Sequence, residues 1–171
     1  MNEFELIARL KPLLPSNDSV VVGAGDDCAV LDLGEPDSHT LFKTDAVVEG
    51  IHFTRDLDPA RVGHKALARA LSDIAAMGGT PTAAVVTVGV PSGDQAAWVE
   101  ACYRGLCRTA ARHQVAVVGG ETTTSPDRLF LSVALLGRVP RGQALLRSGA
   151  CAGDALFVTG ELGGSRAGHH L

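Results

Sequence analysis

The chain has 171 residues, of which 46% are hydrophobic and 4% aromatic, so its core must be built mainly from Ala, Val and Leu. A net charge of −4 without any block of Lys or Arg argues against a nucleic-acid partner. The four cysteines form no CxxC pair, and we see neither a signal peptide nor an apolar run of about 20 residues. The composition thus predicts a cytoplasmic protein with reduced thiols and no membrane segment.

The N-terminal part of the chain predicts one helix followed by short strands. Apolar residues at helical spacing indicate a helix over 4–14, which Pro15 ends. The turns GAGDD and EPDS separate the strands that follow, and the last of them is expected to end at Asp45. These strands are expected at 19–22, 28–33 and 40–44.

Two longer helices dominate the middle of the chain. Asp58 as N-cap and Pro59 at the first helical position begin one helix, which Gly78 and Gly79 end. A second helix is expected over 93–113. With strands at 83–90, 115–118 and 129–139, the order predicts an α/β (α+β) fold in which the two helices cover one face of a mixed sheet.

The pattern restarts near residue 150, where ALFVTG reads as a strand and the glycine-rich GELGGSRAG as a turn leading into a helix. A strand and the start of a helix cannot bury a core by themselves. We therefore expect 1–150 to form one domain and 151–171 to be the truncated start of a second domain.

The stretch GAGDDCAV places two glycines beside Asp26 and Asp27. It lacks the third glycine and the following helix of a dinucleotide fingerprint, and it lacks the Lys of a Walker loop. Bare carboxylates repel phosphate unless a divalent cation lies between them. The alternative is an ordinary turn with Asx hydrogen bonds.

Three more acids occupy comparable positions, each beside small residues. Asp45 and Glu121 are expected at strand ends, and Asp73 is expected near a helix C-terminus, where it opposes the macrodipole. Asp73 has the alternative of an i,i+4 pair with Arg69. Arg147 alone reads as a surface residue, His52 as a packed one, and Lys65 with Arg69 as a solvated helix face.

Five motifs in this order resemble those of thiamine-monophosphate kinase, a family within the aminoimidazole ribonucleotide synthetase superfamily. They are GDDCAVL, TDAVVEGIHF, HKALARALSDIAAMGG, VVGGETT and LLRSGACAGDALFVTGELGGSRAG. The resemblance implies that ATP phosphorylates thiamine monophosphate to thiamine diphosphate by direct in-line transfer assisted by Mg²⁺. It also implies a homodimer whose N-terminal sheets join into a barrel.

The resemblance also implies roles for individual residues, without a covalent nucleophile. His52 would contact the substrate, and Lys43 would flank the metal site through its backbone. The metal ligands would be Asp27, Thr44, Asp45, Asp73 and Glu121, with Asp26 as a neighbour, and the nucleotide would contact Gly120, Glu121, Arg147 and Tyr103.

Two features depart from the family pattern. The family usually has Asp where this chain has Glu121, and its members continue into a second domain with a further acidic motif. We therefore expect the 171-residue chain to have little or no kinase activity. The alternatives are another ATP-using member of the superfamily, such as selenide water dikinase or a hydrogenase maturation factor, or a non-catalytic nucleotide-binding dimerisation module.

Overall fold

A computed structural model describes residues 2–93, 95–158 and 160–164. One mixed sheet has the strand order β1-β2-β3-β6-β4-β5, in which only β4 and β5 are parallel neighbours. The strands are β1 Val20–Val22, β2 Ala29–Leu31, β3 Ser38–Val48, β4 Thr80–Val90, β5 Ala116–Thr124 and β6 Phe130–Pro140. The helices are α1 Glu3–Leu10, α2 Pro59–Ala76 and α3 Ala96–Arg112, and a short 3₁₀ turn at Lys11–Leu13 follows α1.

The sheet is buried on one face only. Strands β3 and β6 pair from Ser38 opposite Pro140 to Val48 opposite Phe130, and alternate residues of both point toward the helices. Leu131, Val133 and Leu135 are fully buried on that face. The prediction of a mixed sheet covered on one face by two helices is confirmed.

Helix α2 begins as its sequence predicts, since the Asp58 side chain accepts a hydrogen bond from the Ala60 N–H at 3.0 Å and Pro59 occupies the first turn. It ends at Met77 and Gly78, whose φ of 72° suits glycine. Its buried stripe packs on the sheet and consists of Val62, Ala66, Leu67, Ala70, Leu71 and Ile74.

Helix α3 packs closely on the N-terminal half of α2 because both helices have glycine at the crossing. A Cβ on Gly63 would lie 1.9 Å from the Cys102 carbonyl oxygen, and a Cβ on Gly105 would lie 1.8 Å from that of Ala60. Real Cβ atoms do not approach oxygen so closely, so this crossing distance depends on the two glycines.

Strands β3 and β5 continue past the residues at which the sequence predicts their ends. Asp45 lies inside β3 rather than at its end, and Glu121 lies inside β5, so both strand-end predictions are wrong. Each strand continues because its neighbour continues to pair with it: Asp45 lies opposite Val133, and Glu121 opposite Thr87. A glycine is required at 120, where a Cβ would lie 1.9 Å from the Val86 carbonyl oxygen.

Both ends of the chain differ from expectation as well. The first helix gives way to the 3₁₀ turn after Leu10 instead of running to residue 14. No strand forms over 155–158, where Leu156 is 97% exposed. The helix expected after residue 160 lies largely outside the described residues, and the division at residue 150 stays a prediction. Within the described part of the chain, no helix is both long and apolar enough to cross a membrane.

Candidate functional site

Three carboxylates gather around the buried thiol of Cys28, at the turn that leads into β2. The Cys28 N–H donates to the Met77 sulfur at 3.0 Å, which ties this turn to the C-terminal end of α2. Burial, followed by the charge of Asp73 and then by those of Asp27 and Asp26, raises the pKa of Cys28 to about 11, and the charge of Lys43 opposes them. We call Asp26, Asp27 and Asp73 the acidic patch.

Basic groups compensate the acidic patch. Lys43 Nζ lies 2.6 Å from Asp73 Oδ2, and Arg147 forms an ion pair with Asp27. The Arg147 backbone N–H also donates to Asp26 Oδ2 at 3.2 Å. The hydrogen bond to Asp27, followed by the charges of Asp27, Asp26 and Asp73, raises the pKa of Arg147 above its ordinary value. Arg147 thus lies within the field of all three carboxylates.

A third ion pair lies beside the patch, between β3 and α2. Arg69 donates two hydrogen bonds to Asp45, at 3.2 Å from Nε and 3.0 Å from Nη2. Lys43 and Asp45 are two residues apart in β3, and Arg69 and Asp73 are four apart in α2, so each pair shares one face of its element. The Lys43–Asp73 and Asp45–Arg69 ion pairs therefore lie next to each other and join β3 to α2.

His52 lies near the Asp45–Arg69 ion pair. Its Nδ1 accepts a hydrogen bond from the Val48 N–H at 3.1 Å, so the neutral ring carries its proton on Nε2. Burial, followed by the charges of Arg69 and Lys65, lowers the pKa of His52, and Asp45 opposes them. His52 therefore presents a neutral N–H donor next to Asp45.

The view of Lys65 and Arg69 as a merely solvated helix face is wrong. Lys65 Nζ donates to the His52 carbonyl oxygen at 2.6 Å, and Arg69 pairs with Asp45 rather than with Asp73. Sequence reasoning also missed the side chain of Lys43 as the partner of Asp73. The available signal was the spacing of opposite charges, two residues between Lys43 and Asp45 and four between Arg69 and Asp73. This spacing becomes informative only once β3 and α2 are known to be neighbours.

Other candidates lie apart from the patch within this chain. The Thr44 side chain lies on the opposite face of the sheet, with its hydroxyl 3.4 Å from that of Ser132. Glu121 is exposed on the edge strand β5, three strand positions from β3, which corresponds to about 14 Å. Gly120 precedes it in the same strand.

Tyr103 also lies at a distance. It is half-buried against the core on α3, where this helix crosses α2 near Gly63. Asp73 is ten residues further along α2, or about 15 Å along the helix axis. The structure thus gathers Asp26, Asp27, Asp73 and Arg147 with Asp45 and His52 beside them, and the ligand roles of all candidates stay predictions.

Glu49 has a structural role in the same region. Both of its carboxylate oxygens accept hydrogen bonds from Arg55, at 2.8 and 2.9 Å, and one also accepts from the Leu129 N–H at 2.9 Å. These contacts, led by the hydrogen bond from Arg55, lower the pKa of Glu49. Glu49 therefore holds the loop after β3 to the start of β6.

The acidic patch has the ligand type that a magnesium ion prefers, but Asp27 and Asp73 are paired with basic side chains in this structure. Carboxylate oxygens are the hard ligands that Mg²⁺ prefers. Among the described residues, no group of three His, Cys, Asp or Glu side chains is arranged to hold a metal ion. Arg147 holds one oxygen of Asp27 and Lys43 one oxygen of Asp73, so a cation bound there would compete with these two side chains for the carboxylates.

Known proteins resemble this chain over most of its length. Residues 25–139 match the family described as AIR synthase related protein, N-terminal domain. The thiamine-monophosphate kinase of Bacillus subtilis (strain 168) is 40% identical over 172 aligned positions, which cover 100% of this chain and 53% of that protein. Its Escherichia coli (strain K12) counterpart is 42% identical, over 97% of this chain and 50% of that protein.

A solved structure described as "AaThiL complexed with AMPPCP and TMP" superposes on this chain with a TM-score of 0.77 and 34% identity. The match covers 87% of this chain and 45% of that one. The chain spans about half the length of the curated relatives that it matches.

Proposed function

This chain belongs to the family of AIR synthase related proteins, whose N-terminal domain it carries, and we propose that it is the nucleotide- and metal-binding half of a thiamine-monophosphate kinase. The reaction would transfer a phosphoryl group from ATP to thiamine monophosphate and yield thiamine diphosphate. Relatives of that name and a related structure described with AMPPCP and TMP support the proposal.

The observation that carries the proposal is the convergence of Asp26, Asp27 and Asp73 with Arg147 around Cys28. Phosphoryl transfer requires positioning and charge neutralisation rather than a covalent nucleophile. A site with several carboxylates and a movable guanidinium supplies both. We assign Asp27, Asp45 and Asp73 as ligands of Mg²⁺, which would neutralise the phosphate charges when bound.

The basic partners would then change their roles. Arg147 is 60% exposed at its side chain and lies on the chain beyond β6, so it can turn from Asp27 toward a nucleotide phosphate. Lys43 is held between strand and helix and stays close to Asp73. The Nε2–H of His52 would donate a hydrogen bond to thiamine monophosphate.

Thr44, Gly120, Glu121 and Tyr103 enter the proposal through the family resemblance. Because Glu121 lies about 14 Å from β3 by strand spacing, it would join the patch only through a ligand that spans the gap or through a second copy of the chain. A homodimer is supported by the uncovered face of the sheet, where Phe42, Val85 and Leu136 are 45%, 42% and 39% exposed. We therefore propose a cytoplasmic homodimer whose sheets face each other.

We further propose that the 171-residue chain binds Mg²⁺ with nucleotide but turns over little or no substrate. In the described residues the acids are paired with bases and Glu121 stands apart, so the constellation is incomplete. A coupled assay with ATP and thiamine monophosphate tests this statement directly, and turnover at the rate of a complete thiamine-monophosphate kinase would refute it.

Calorimetric titration of the chain with AMPPCP, with and without Mg²⁺, tests the binding half of the proposal. We expect saturable binding that requires Mg²⁺ and is lost in Asp27→Asn. The control is Asp127→Asn, an exposed acid of the loop between β5 and β6 that should leave binding unchanged. Equal binding by both variants, or no Mg²⁺-dependent binding by the parent chain, would overturn the assignment.

A further inference from the structure

A second charged site lies at the other end of α2. A pocket of about 340 Å³ opens between the N-terminal turns of α2 and the C-terminal half of α3. Its floor includes Ala60 and Gly105, which touch each other at the helix crossing. Its volume lies at the lower end of the range for small-molecule pockets.

The walls of the pocket are basic. Arg61 and His64 come from α2, and Arg108, Arg112 and His113 come from α3 and its C-terminal cap. None of the described residues that line the pocket is acidic. The three guanidinium groups form no salt bridge with any described residue. This concentration of positive charge occurs in a chain whose net charge is −4.

Helix stability does not explain the arrangement. Arg61 lies in the first turn of α2, where the macrodipole disfavours a positive charge. Arg108 and Arg112 are four residues apart on α3, where like charges repel. The dipole accounts for Arg112 and His113 in the last turn of α3, but not for the other two arginines. A bound anion would remove both unfavourable interactions.

His64 is fixed at the wall of the pocket. Thr109, which is 6% exposed, donates its hydroxyl hydrogen to the Gly105 carbonyl oxygen at 3.1 Å. Its oxygen therefore accepts from His64 Nδ1, 2.8 Å away, and this contact orients the ring.

We propose that this pocket, formed by Arg61, His64, Arg108, Arg112 and His113, binds a small phosphate-bearing anion with two or more negative charges, such as a diphosphate group. Guanidinium groups match phosphate oxygens in pairs, and three of them from two helices call for more than one negative charge. The volume of the pocket suits a small ligand, and the net negative charge of the chain disfavours binding of a nucleic acid.

The pocket is separate from the acidic patch and does not rest on the proposed kinase function. Arg61 and His64 precede Asp73 by twelve and nine residues of α2, which corresponds to about 14–18 Å along the helix axis. One anion cannot contact both ends of the helix, so the two sites can be tested independently.

The test is calorimetric titration of the 171-residue chain with inorganic pyrophosphate, in the presence of a metal chelator and at constant ionic strength. The chelator removes Mg²⁺, so that metal-dependent binding at the acidic patch does not contribute. We expect saturable binding that Arg108→Gln and, separately, Arg61→Gln weaken by about tenfold, the usual loss for one charge-assisted hydrogen bond.

The matched control is Arg104→Gln, which removes an exposed arginine one turn earlier on α3, outside the pocket. It should change the affinity by less than about twofold, since Arg104 lies outside the pocket and its ion pair with Glu100 is exposed. Backbone amide shifts should move at Gly105 and His64 when pyrophosphate binds. Absence of saturable binding, or equal affinity in Arg108→Gln, Arg61→Gln and the parent chain, would overturn the proposal.

Discussion

The two ends of helix α2 differ in the charges around them and in whether those charges have partners. The acids at the C-terminal end form ion pairs, and the arginines at the N-terminal end form none with the described residues. At the C-terminal end, Asp73 is paired with Lys43, and Asp45 with Arg69 one turn earlier. At the N-terminal end, Arg61 has no acidic partner among the described residues and faces two arginines of α3. The C-terminal end of α2 thus lies among acids with a local counter-charge, and its N-terminal end lies among bases without one.

This difference shows which end can exist without a ligand. Half-buried carboxylates without a cation would repel each other at the cost of folding stability, so Lys43, Arg69 and Arg147 hold the patch together. The exposed guanidinium groups at the other end tolerate their proximity because water screens them. A metal ion at the patch must therefore compete with side chains, whereas an anion at the pocket competes only with solvent.

The largest effect is expected at the helix crossing, which lies in the N-terminal half of α2 beside the basic pocket. Gly105→Ala places a methyl group 1.8 Å from the Ala60 carbonyl oxygen, so the helices must move apart. We expect a loss of about 3 kcal/mol from overpacking, reduced by about 1 kcal/mol because Ala favours the helix. Urea denaturation measures the net change.

The control for this variant is Ala111→Gly, at an exposed position of α3. It should cost only the helix-propensity difference of about 1 kcal/mol. If Gly105→Ala proves as stable as the parent chain, the close crossing does not exist in solution, and the pocket built on it loses its floor.

The next largest effect concerns the compensated end. Asp73→Asn removes a carboxylate of the patch and leaves Lys43 half-buried without its partner. We expect the affinity for AMPPCP with Mg²⁺ to fall by about tenfold or more, since the variant removes a charged contact to the ion. Binding of pyrophosphate at the basic pocket, measured with a chelator present, should not change. A parallel loss at both ends would mean that the two sites are not independent.

For Arg147→Gln we expect smaller changes in two affinities, and these changes have opposite signs. The variant frees Asp27 from its ion pair, so the affinity for Mg²⁺ alone should rise severalfold. The affinity for AMPPCP with Mg²⁺ should fall by about tenfold because a phosphate contact is lost. Titrations of both ligands measure the pair of changes, with Arg138→Gln, an exposed arginine of β6, as control. Two changes of the same sign would contradict the competition between Arg147 and the metal.

Local signals in the sequence were sufficient for most of the fold. The Asp58-Pro59 start and the Gly78 end of α2 depend on contacts within one turn, and the apolar stripe between them identifies the buried face. The ends of β3 and β5 were not predictable in this way. Asp45 breaks the apolar pattern of its strand, and its compensation by Arg69 depends on a contact between residues 24 positions apart.

The candidate site shows the same division. The motifs indicated Asp26, Asp27 and Asp73, and the structure places their charges around Cys28. The motifs could not show that Glu121 lies on the edge strand, away from the patch, because the strand order is set by pairing between distant segments. The basic pocket escaped prediction for a similar reason, since its arginines come from two helices and form no motif.

The smallest effect uses two buried thiols as reporters of the two regions. Cys28 lies in the acidic patch and has a pKa of about 11, raised first by burial and then by the carboxylates, whereas burial alone raises the pKa of Cys102, on the α3 crossing, to about 12. In a chain with Cys107 and Cys151 replaced by Ser, the ultraviolet absorbance of thiolate against pH follows both groups.

Asp73→Asn should shift the Cys28 titration to lower pH and leave that of Cys102 in place, because a negative charge is removed near only one thiol. Saturating Mg²⁺ should act in the same direction. Because the folded-state pKa of Cys28 lies above the ordinary value of 9.0, its protonated form favours folding, and the stability that it contributes declines as the pH rises from 9.0 toward about 11. In Asp73→Asn this decline should be smaller, since the folded-state pKa is closer to the unfolded one. An unchanged titration of Cys28 would mean that Asp73 does not lie beside this thiol, and the carboxylates would then not form one patch.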